Sequence, residues 1–272
     1  MQDESFECKR FTYNHRRFGG LDTQGVDPHT HDVCEIIYVK EGALSYYVED
    51  KVYQVEEHDI IVTPPGMLHR TTLNEPGVYE RYNILFEKNI VFDEIFKRFS
   101  KEACVLRLKK HKRIEEILLK MDDYCMHFEG KVLENILSHL IDEIFYQIHL
   151  SKAPKQDKRF TSNPLLTKAL RFIEENLGDE LCLEKICDEL FITKGYLNKL
   201  FNRHICMSPG KYITSKRLIA AQQEIKNGMN PTQVYAKFGF HEYSTFYRNY
   251  KEFFGYSPSE EKDKTPIRVI KI

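Results

Sequence analysis

Histidine and carboxylate side chains recur near the start of the chain at a spacing that can place them on one face of a strand. His29, His31 and Glu35 occupy odd positions of the segment HTHDVCE, so in an extended strand they point the same way. A later PxGxxH pattern ends at His69. Imidazole and carboxylate groups hold divalent metal ions, and they also form hydrogen bonds with polar molecules or with one another. These residues therefore mark a candidate binding site.

Tyrosine and arginine residues of the same half are further candidates for that site, because hydroxyl and forked guanidinium donors suit hydroxylated or carboxylated ligands. They are Arg16, Tyr38, Tyr46, Arg81 and Tyr82. Packing at the edge of a barrel is the alternative role for these side chains.

Short alternating runs predict the strands that would position these residues. The runs cover residues 34–40, 43–49, 51–55, 59–63 and 78–86, and Glu49-Asp50 has the composition of a hairpin turn. Several short strands at nearly regular spacing are typical of an antiparallel sandwich or barrel.

Over residues 111–150, apolar residues recur every three to four positions, which is the spacing expected of a helix. One stripe contains Ile114, Ile117, Leu118, Met121, Cys125 and Phe128. After Gly130 a second, wider stripe contains Val132, Leu133, Ile136, Leu137, Leu140, Ile141, Ile144, Phe145 and Ile148. Such a width favours pairing with a second copy of the chain, and packing against its own β domain is the alternative.

The remainder of the chain is predicted to be helical after a linker at 151–163. Helices are expected to start at Asn163-Pro164, Ser208-Pro209 and Asn230-Pro231, where a capping residue precedes proline. Glycine or Asn-Gly marks the ends of three helices, at Gly178, Asn227-Gly228 and Gly255.

Two stretches of this half have the size and pattern of a helix-turn-helix, residues 183–205 and 231–254. The second helix of the first stretch buries Leu197, Leu200, Phe201 and Ile205, with Thr193 as its N-cap. Its open face then contains Lys194, Gly195, Asn198, Lys199, Asn202 and Arg203. The corresponding helix of the second stretch buries Phe246, Tyr250 and Phe253 and exposes Tyr243, Ser244, Tyr247, Arg248 and Lys251. Such side chains reach base edges and phosphates, although any amphipathic helix has a polar face.

The charge distribution favours DNA as the partner of this half. The whole chain has a formal net charge of −1, which by itself argues against a nucleic-acid binder. Residues 1–159 have a net charge of −5 and residues 160–272 a net charge of +4. Residues 190–258 alone contain 10 Lys and Arg against 3 Asp and Glu, a net charge of +7. The predicted recognition helices thus lie in the most basic part of the chain.

Composition excludes several other classes of protein. The seven cysteines are an odd number and form no CxxC pair, which fits reduced thiols better than a disulfide framework or a zinc site. No apolar run approaches the length of a membrane span, and the first twenty residues show no secretory signal. A cytoplasmic location is therefore expected.

Residues 164–260 resemble the C-terminal domain of AraC/XylS-type transcription regulators. The matching segments are LTKALRFIEENL, YLNKLF, SPGKYITSKRLIAAQQEI and GFHEYSTFYRNYKEFFGYSP. The resemblance implies two helix-turn-helix motifs that bind promoter DNA. It places the base-contacting positions of the family on Gly195, Asn198, Lys199, Tyr243, Ser244 and Arg248.

The N-terminal half resembles both the cupin barrel and the ligand-binding domain of the same regulators. In metal cupins the positions that match His29, His31, Glu35 and His69 hold a divalent ion, and three imidazoles with a carboxylate suit iron, manganese, nickel or zinc. A metal-free pocket for a sugar or another polar metabolite, and a purely structural cluster, are the alternatives. No cofactor is otherwise expected.

Some positions depart from the pattern of the family. Phe191, Cys206 and His58 replace glycines that are usual there, while Cys187 and Tyr235 replace small residues. Because phenylalanine does not readily take a positive φ angle, the first helix-turn-helix is expected to be the less regular one. A bulky Tyr235 is expected to tilt its helices or to point outward.

The sequence thus predicts an α+β multidomain regulator rather than an enzyme. Its expected parts are a cupin-like antiparallel β-barrel at 1–105, a helical connector at 106–150, the linker, a double helix-turn-helix domain at 164–260 and a tail at 261–272. The expected partners are double-stranded promoter DNA, a small-molecule effector, a second copy bound through residues 111–150, and RNA polymerase, which suits an activator. The alternative function is a cupin metalloenzyme or a metal sensor fused to a DNA-binding module.

Overall fold

Antiparallel strands make up most of the described part of the first half of the chain. The computed structural model describes residues 4–8, 10–21, 28–87, 103–108, 111–150, 160–178, 181–263 and 269–271. These residues form two compact units, which change over near residue 160. The strands are β1 (Glu4–Glu7), β2 (Phe11–Leu21), β3 (His29–His31), β4 (Cys34–Glu41), β5 (Leu44–Val48), β6 (Lys51–Val55), β7 (Ile60–Thr63), β8 (His69–Leu73), β9 (Gly77–Phe86), β10 (Cys104–Leu106), β11 (Phe160–Ser162) and β12 (Val269–Lys271).

Two sheets enclose the core of the first unit. One has the strand order β1-β2-β9-β4-β7-β10, and the central strands of the other run in the order β6-β5-β8-β3. All five predicted strands are present, with ends within one residue of those expected. The turn at Glu49-Asp50 is also present, and Glu49 takes a φ of 49° there.

The two faces of the first sheet have different neighbours. Odd-numbered residues of β4, such as Ile37 and Val39, pack with Leu44 and Tyr46 of the second sheet in the barrel interior. Even-numbered residues, such as Ile36, pack outward against two helices. This alternation decides which side each polar side chain of β4 and β9 faces.

Those helices are α1 (Lys112–His127) and α2 (Gly130–Leu150). Ile114, Ile117, Leu118 and Met121 of α1 are buried, as are Leu133, Leu137, Ile141, Ile144, Phe145 and Ile148 of α2. The predicted stripes are therefore largely confirmed, and they pack against the β sheet. Two of their members, Phe128 and Val132, are exposed instead. Among the described residues, no helix has the length and hydropathy needed to cross a membrane.

The second unit is built from short helices with local capping signals. They are α3 (Pro164–Glu175), α4 (Leu183–Leu190), α5 (Lys194–His204), α6 (Pro209–Lys226), α7 (Pro231–Lys237) and α8 (Tyr243–Phe254), followed by a 3₁₀ helix at Pro258–Asp263. The side chains of Asn163, Thr193, Ser208 and Asn230 accept hydrogen bonds from the first turns of their helices, as predicted. Most of the predicted linker, residues 151–159, lies outside the described residues, as do residues 264–268 and 272 of the tail.

Candidate functional site

The histidines and glutamate singled out from the sequence meet inside the barrel. His29 of β3 lies directly opposite His69 of β8, and the side chain of Glu35 enters from β4. Ring centroids of the three histidines are separated by 4.3 to 5.1 Å. One nitrogen or oxygen atom from each of His29, His31, Glu35 and His69 lies within 4.8 Å of the others. We call these four residues the histidine cluster.

Hydrogen bonds orient two members of the histidine cluster. Nδ1 of His69 lies 2.9 Å from the carbonyl oxygen of Met67, so this nitrogen carries the proton when the ring is neutral. Nε2 of His69 then presents its lone pair 3.0 Å from Oε2 of Glu35. The other carboxylate oxygen of Glu35 accepts a hydrogen bond of 2.7 Å from Nδ2 of Asn83. Two electron-pair donors facing one another at 3 Å favour a proton or a cation between them.

Glu35 stays ionised although it is fully buried. Burial by itself would raise its pKa, but the nearby His31 and His69 outweigh this effect and hold the pKa of Glu35 well below its ordinary value. The cluster therefore combines a carboxylate whose pKa is lowered with three imidazoles. Such a site can bind a divalent cation or a ligand rich in hydrogen-bond donors.

Of the other predicted effector residues, Tyr46 and Arg81 lie on the interior face of the barrel. Tyr46 is buried, and its hydroxyl lies 2.7 Å from Oγ1 of Thr63. Arg81 places its guanidinium 5.8 Å from the ring centroid of Tyr79, and its register partner on β2 is Arg16, which is exposed. Asn83 belongs to the same row of β9, and sequence reasoning missed it. Its odd position within the predicted strand 78–86, two residues beyond Arg81, is the signal that could have found it.

Tyr38 and Tyr82 lie on the outer face of the sheet, away from the histidine cluster. The hydroxyl of Tyr38 donates to Oε1 of Glu115 on α1 at 2.9 Å and lies 2.8 Å from Nδ1 of His58. These side chains line a pocket of about 290 Å³ between the sheet and α1, which we call the outer pocket. Its lining residues are Arg17, Tyr38, Lys40, Glu41, Glu57, His58, Glu80, Tyr82, Glu115 and Leu119.

A buried ionic network missed by sequence reasoning lies beside the outer pocket. His15 bridges two carboxylates, with Nε2 at 2.9 Å from Glu80 and Nδ1 at 2.8 Å from Asp122 of α1. Glu80 also pairs with Arg17 at 2.7 Å and Lys40 at 2.6 Å. The network joins β2 and β9 of the sheet to α1.

The first helix-turn-helix consists of α4 and α5. Leu197, Leu200, Phe201 and Ile205 are buried as predicted, whereas Lys194, Gly195, Lys199, Asn202 and Arg203 are exposed. Asn198 is half-buried, and its Nδ2 donates to the carbonyl oxygen of Lys194 at 2.9 Å. Lys194 forms an ion pair with Glu184 of α4.

The second helix-turn-helix consists of α7 and α8. Ser244, Tyr247, Arg248 and Lys251 are exposed as predicted, Phe246 and Tyr250 are buried, and Phe253 is half-buried. Tyr243 differs from the outward orientation predicted for it, because its half-buried ring packs edge-on against Tyr235 at 5.7 Å. The bulk of Tyr235 is thus accommodated by a second aromatic ring.

The three residues that replace glycines of the family have positive φ angles, which glycine adopts readily. Phe191 has a φ of 55°, Cys206 of 61° and His58 of 69°. The expectation that Phe191 would avoid this conformation was wrong. Its amide N–H still donates to the carbonyl of Asp188, and its side chain is 94% exposed, so it meets no steric obstacle within the chain. The first motif accordingly has a regular turn.

The chain matches known proteins in both halves. Residues 15–157 match an AraC-like ligand binding domain, and residues 186–264 match a helix-turn-helix domain. The raffinose operon transcriptional regulatory protein RafR of Pediococcus pentosaceus is 24% identical over 235 residues, which cover 84% of each chain. The HTH-type transcriptional regulator GbdR of Pseudomonas aeruginosa is 26% identical over 152 residues, or 53% of this chain and 41% of GbdR. The chain thus spans less than half the length of GbdR.

Among solved structures, the chain aligns with that of ToxT from Vibrio cholerae. The alignment covers 93% of this chain and 97% of ToxT, at a TM-score of 0.39 and 15% identity. The matching family is one of transcriptional regulators rather than enzymes. Because the AraC-like ligand binding domain covers residues 15–157 of 272 and a helix-turn-helix domain follows it, the chain belongs to the AraC family of transcriptional regulators.

Proposed function

We propose that this protein binds specific promoter DNA through α5 and α8 and regulates transcription in response to a small molecule. The observation that supports it most directly is the pair of helix-turn-helix motifs, whose second helices lie in a stretch with a net charge of +7. These helices expose Lys199, Asn202, Ser244, Tyr247 and Arg248. Exposed cations bind phosphates, and the amide and guanidinium groups can read base edges.

Gel-shift titration of the upstream region of its own gene at two salt concentrations tests this proposal. We expect affinity that falls as salt rises and that exceeds the affinity for a scrambled fragment. Absence of both effects contradicts DNA binding.

Arg248→Ala and Asn198→Ala should each weaken the free energy of DNA binding by about 1–3 kcal/mol, and only at particular base pairs. A uniform loss over all sequences would instead identify a phosphate contact.

The effector, in this proposal, is a sugar or another polar metabolite held by Tyr46 and Arg81 of the barrel interior, by Arg16 beside Arg81 and by the histidine cluster. The relative RafR is named as a raffinose operon regulator, which supports including sugars among the candidates. The outer pocket at Tyr38 is a second place for such a molecule. Ligand binding to one arrangement of the protein would shift the population of DNA-binding states.

A thermal-shift screen of sugars, sugar acids and aromatic acids tests effector binding, because a ligand of the native state raises the melting temperature. Glu35→Gln should abolish the shift for a barrel ligand and leave it intact for a ligand of the outer pocket. Tyr38→Phe should do the reverse. If no compound shifts the melting temperature, the barrel does not serve as a sensor for these classes of molecule.

A metal sensor is a second candidate function, favoured by the facing lone pairs of His69 and Glu35. His29, His31, Glu35 and His69 would hold a divalent ion, which would supply a positive charge at the centre of the barrel. Equilibrium dialysis against zinc, nickel or manganese should give one ion per chain for the wild type and none for His31→Ala. His139→Ala, which changes an exposed histidine of α2, is the matched control. A wild type without stoichiometric metal contradicts this candidate.

Self-association through α1 and α2 completes the proposal. These helices and the turn between them expose large apolar side chains, namely Leu119, Met126, Phe128, Val132, Tyr146 and Leu150. A dimer would cover this surface and present two DNA-binding units. RNA polymerase is the further partner we propose once the protein is on the promoter.

A further inference from the structure

Phe191 stands out among the apolar residues of the DNA-binding unit. Its side chain is 94% exposed, the highest value among the exposed large hydrophobic residues in the described part of the chain. It caps the C-terminus of α4 with a φ of 55° and a ψ of 44°, the left-handed conformation that glycine takes without cost. A phenylalanine here is strained relative to glycine, and its ring gains nothing from burial.

The position of Phe191 relates this exposed ring to the proposed DNA interface. It precedes Thr193, the N-cap of α5, by two residues. In helix-turn-helix proteins the N-terminal residues of the second helix contact base edges in the major groove. The turn that leads into that helix therefore lies at the edge of the groove. The exposed Lys199, in the middle of α5, brings positive charge to the same helix.

An aromatic side chain at the edge of the groove can make contacts that cations cannot. The methyl group of thymine lies on the floor of the major groove, and phenylalanine is one of the residues that pack against it. Such a contact adds affinity without releasing counterions, since it neutralises no phosphate.

We propose that Phe191 is a DNA-contacting residue that packs against the apolar surface of the major groove beside the bases read by α5. The strained backbone places the ring outside the helical unit, where DNA can cover it. This inference rests on the proposed DNA-binding function. It adds an apolar contact to a surface that also exposes the charged and polar residues Lys199, Asn202 and Arg203.

Phe191→Gly tests the proposal, because it removes the ring and relieves the backbone strain together. We expect a higher melting temperature and a loss of affinity for the native upstream fragment of between about fivefold and a hundredfold. The slope of log affinity against log salt should stay unchanged. Cys206→Gly is the matched control, since Cys206 is also exposed and has a φ of 61°. It should stabilise the protein and leave DNA affinity unaltered.

Three outcomes would overturn the proposal. Unchanged affinity of Phe191→Gly would mean that the ring does not contact DNA. A smaller salt slope would mean that the change acts through phosphate contacts. Normal DNA binding with loss of transcription in a reconstituted assay would assign Phe191 to a polymerase contact. Failure of the wild type itself to bind the fragment would instead contradict the proposed function.

Discussion

At the scale of single residues, Gly239 has the most restricted position in the turn of the second helix-turn-helix. It has a φ of 68°, and an added Cβ would lie 2.6 Å from Nη2 of Arg217. The guanidinium of Arg217 cannot move aside freely, since it donates to the carbonyl oxygens of Leu177 at 3.0 Å and Gly239 at 3.1 Å. A side chain here therefore strains the backbone and breaks these hydrogen bonds.

We expect Gly239→Ala to lower the free energy of unfolding by about 1–3 kcal/mol. Urea unfolding followed by circular dichroism measures the change. Gly210→Ala is the control, because an added Cβ at Gly210 has no neighbour within 4 Å. That variant should be neutral or slightly stabilising. Equal destabilisation by both changes would show that Arg217 does not restrict Gly239.

The protonation of His15 makes the stability of the first unit depend on pH. Burial lowers the pKa of His15, but its bonds to Asp122 and Glu80 outweigh this effect and raise the pKa above its ordinary value, while Lys40 opposes the rise. A raised pKa in the folded state means that the charged form stabilises the fold. This stabilisation is fully present below the unfolded pKa near 6.5 and is lost as pH rises through the folded pKa.

We expect His15→Asn to lower the free energy of unfolding by about 2 kcal/mol or more at about pH 6, because it removes a buried charged bridge. The difference from the wild type should shrink as pH rises above the unfolded pKa near 6.5 and through the raised folded pKa. Urea titrations at each pH measure it, with the exposed His139→Asn as the control. A difference that does not change with pH would assign His15 to packing alone.

At the scale of elements, the N-cap of α5 links stability to the proposed DNA contacts. The hydroxyl of Thr193 accepts a hydrogen bond of 3.2 Å from the amide of Tyr196, which satisfies one of the free donors at the helix start. Thr193→Ala should lower the free energy of unfolding by about 1 kcal/mol, and Thr193→Ser should restore most of it. Thermal melts measure both. If serine does not restore stability, the cap is not the cause.

The helix starts are predictable from the sequence because capping is local. Asn163, Ser208 and Asn230 each precede proline, and the side chain that accepts the cap hydrogen bond lies within three residues of its donor. The same holds for strands whose apolar alternation is uninterrupted. These elements follow from short-range chemistry alone.

The sequence pattern does not predict strand β2, and the reason is its tertiary partners. The run His15-Arg16-Arg17 looks like a surface loop, yet His15 is buried. Its two carboxylate partners, Glu80 and Asp122, come from positions 65 and 107 residues away. Likewise, residue type alone groups Tyr38 with the histidine cluster, although the sheet separates them. Long-range pairing decides the burial of His15, and no local pattern reports it, whereas the alternation along β4 already places Tyr38 and Glu35 on opposite faces.

At the scale of the whole molecule, the near-neutral total charge is the sum of two opposite halves. Residues 1–159 have a net charge of −5 and residues 160–272 one of +4, which together give the total of −1. The basic DNA-binding half attracts the phosphate backbone of DNA. The acidic half repels phosphates and so does not bind DNA in its place. This division agrees with the separation of ligand binding from DNA binding in the proposed function.

Self-association through the exposed apolar residues of α1 and α2 should govern how the whole molecule binds two half-sites. Val132 is 57% exposed at the start of α2, and Met126 is 62% exposed near the end of α1. We expect Val132→Glu to weaken self-association by about tenfold or more, because it places a charge in an apolar contact. Sedimentation velocity over a concentration series measures this. Lys120→Glu, which changes an exposed charge of α1, is the control. A wild type that stays monomeric throughout the series would contradict dimerisation. A monomeric Val132→Glu protein should still bind a single half-site of DNA. It should lose the additional affinity that a dimer has for two paired half-sites.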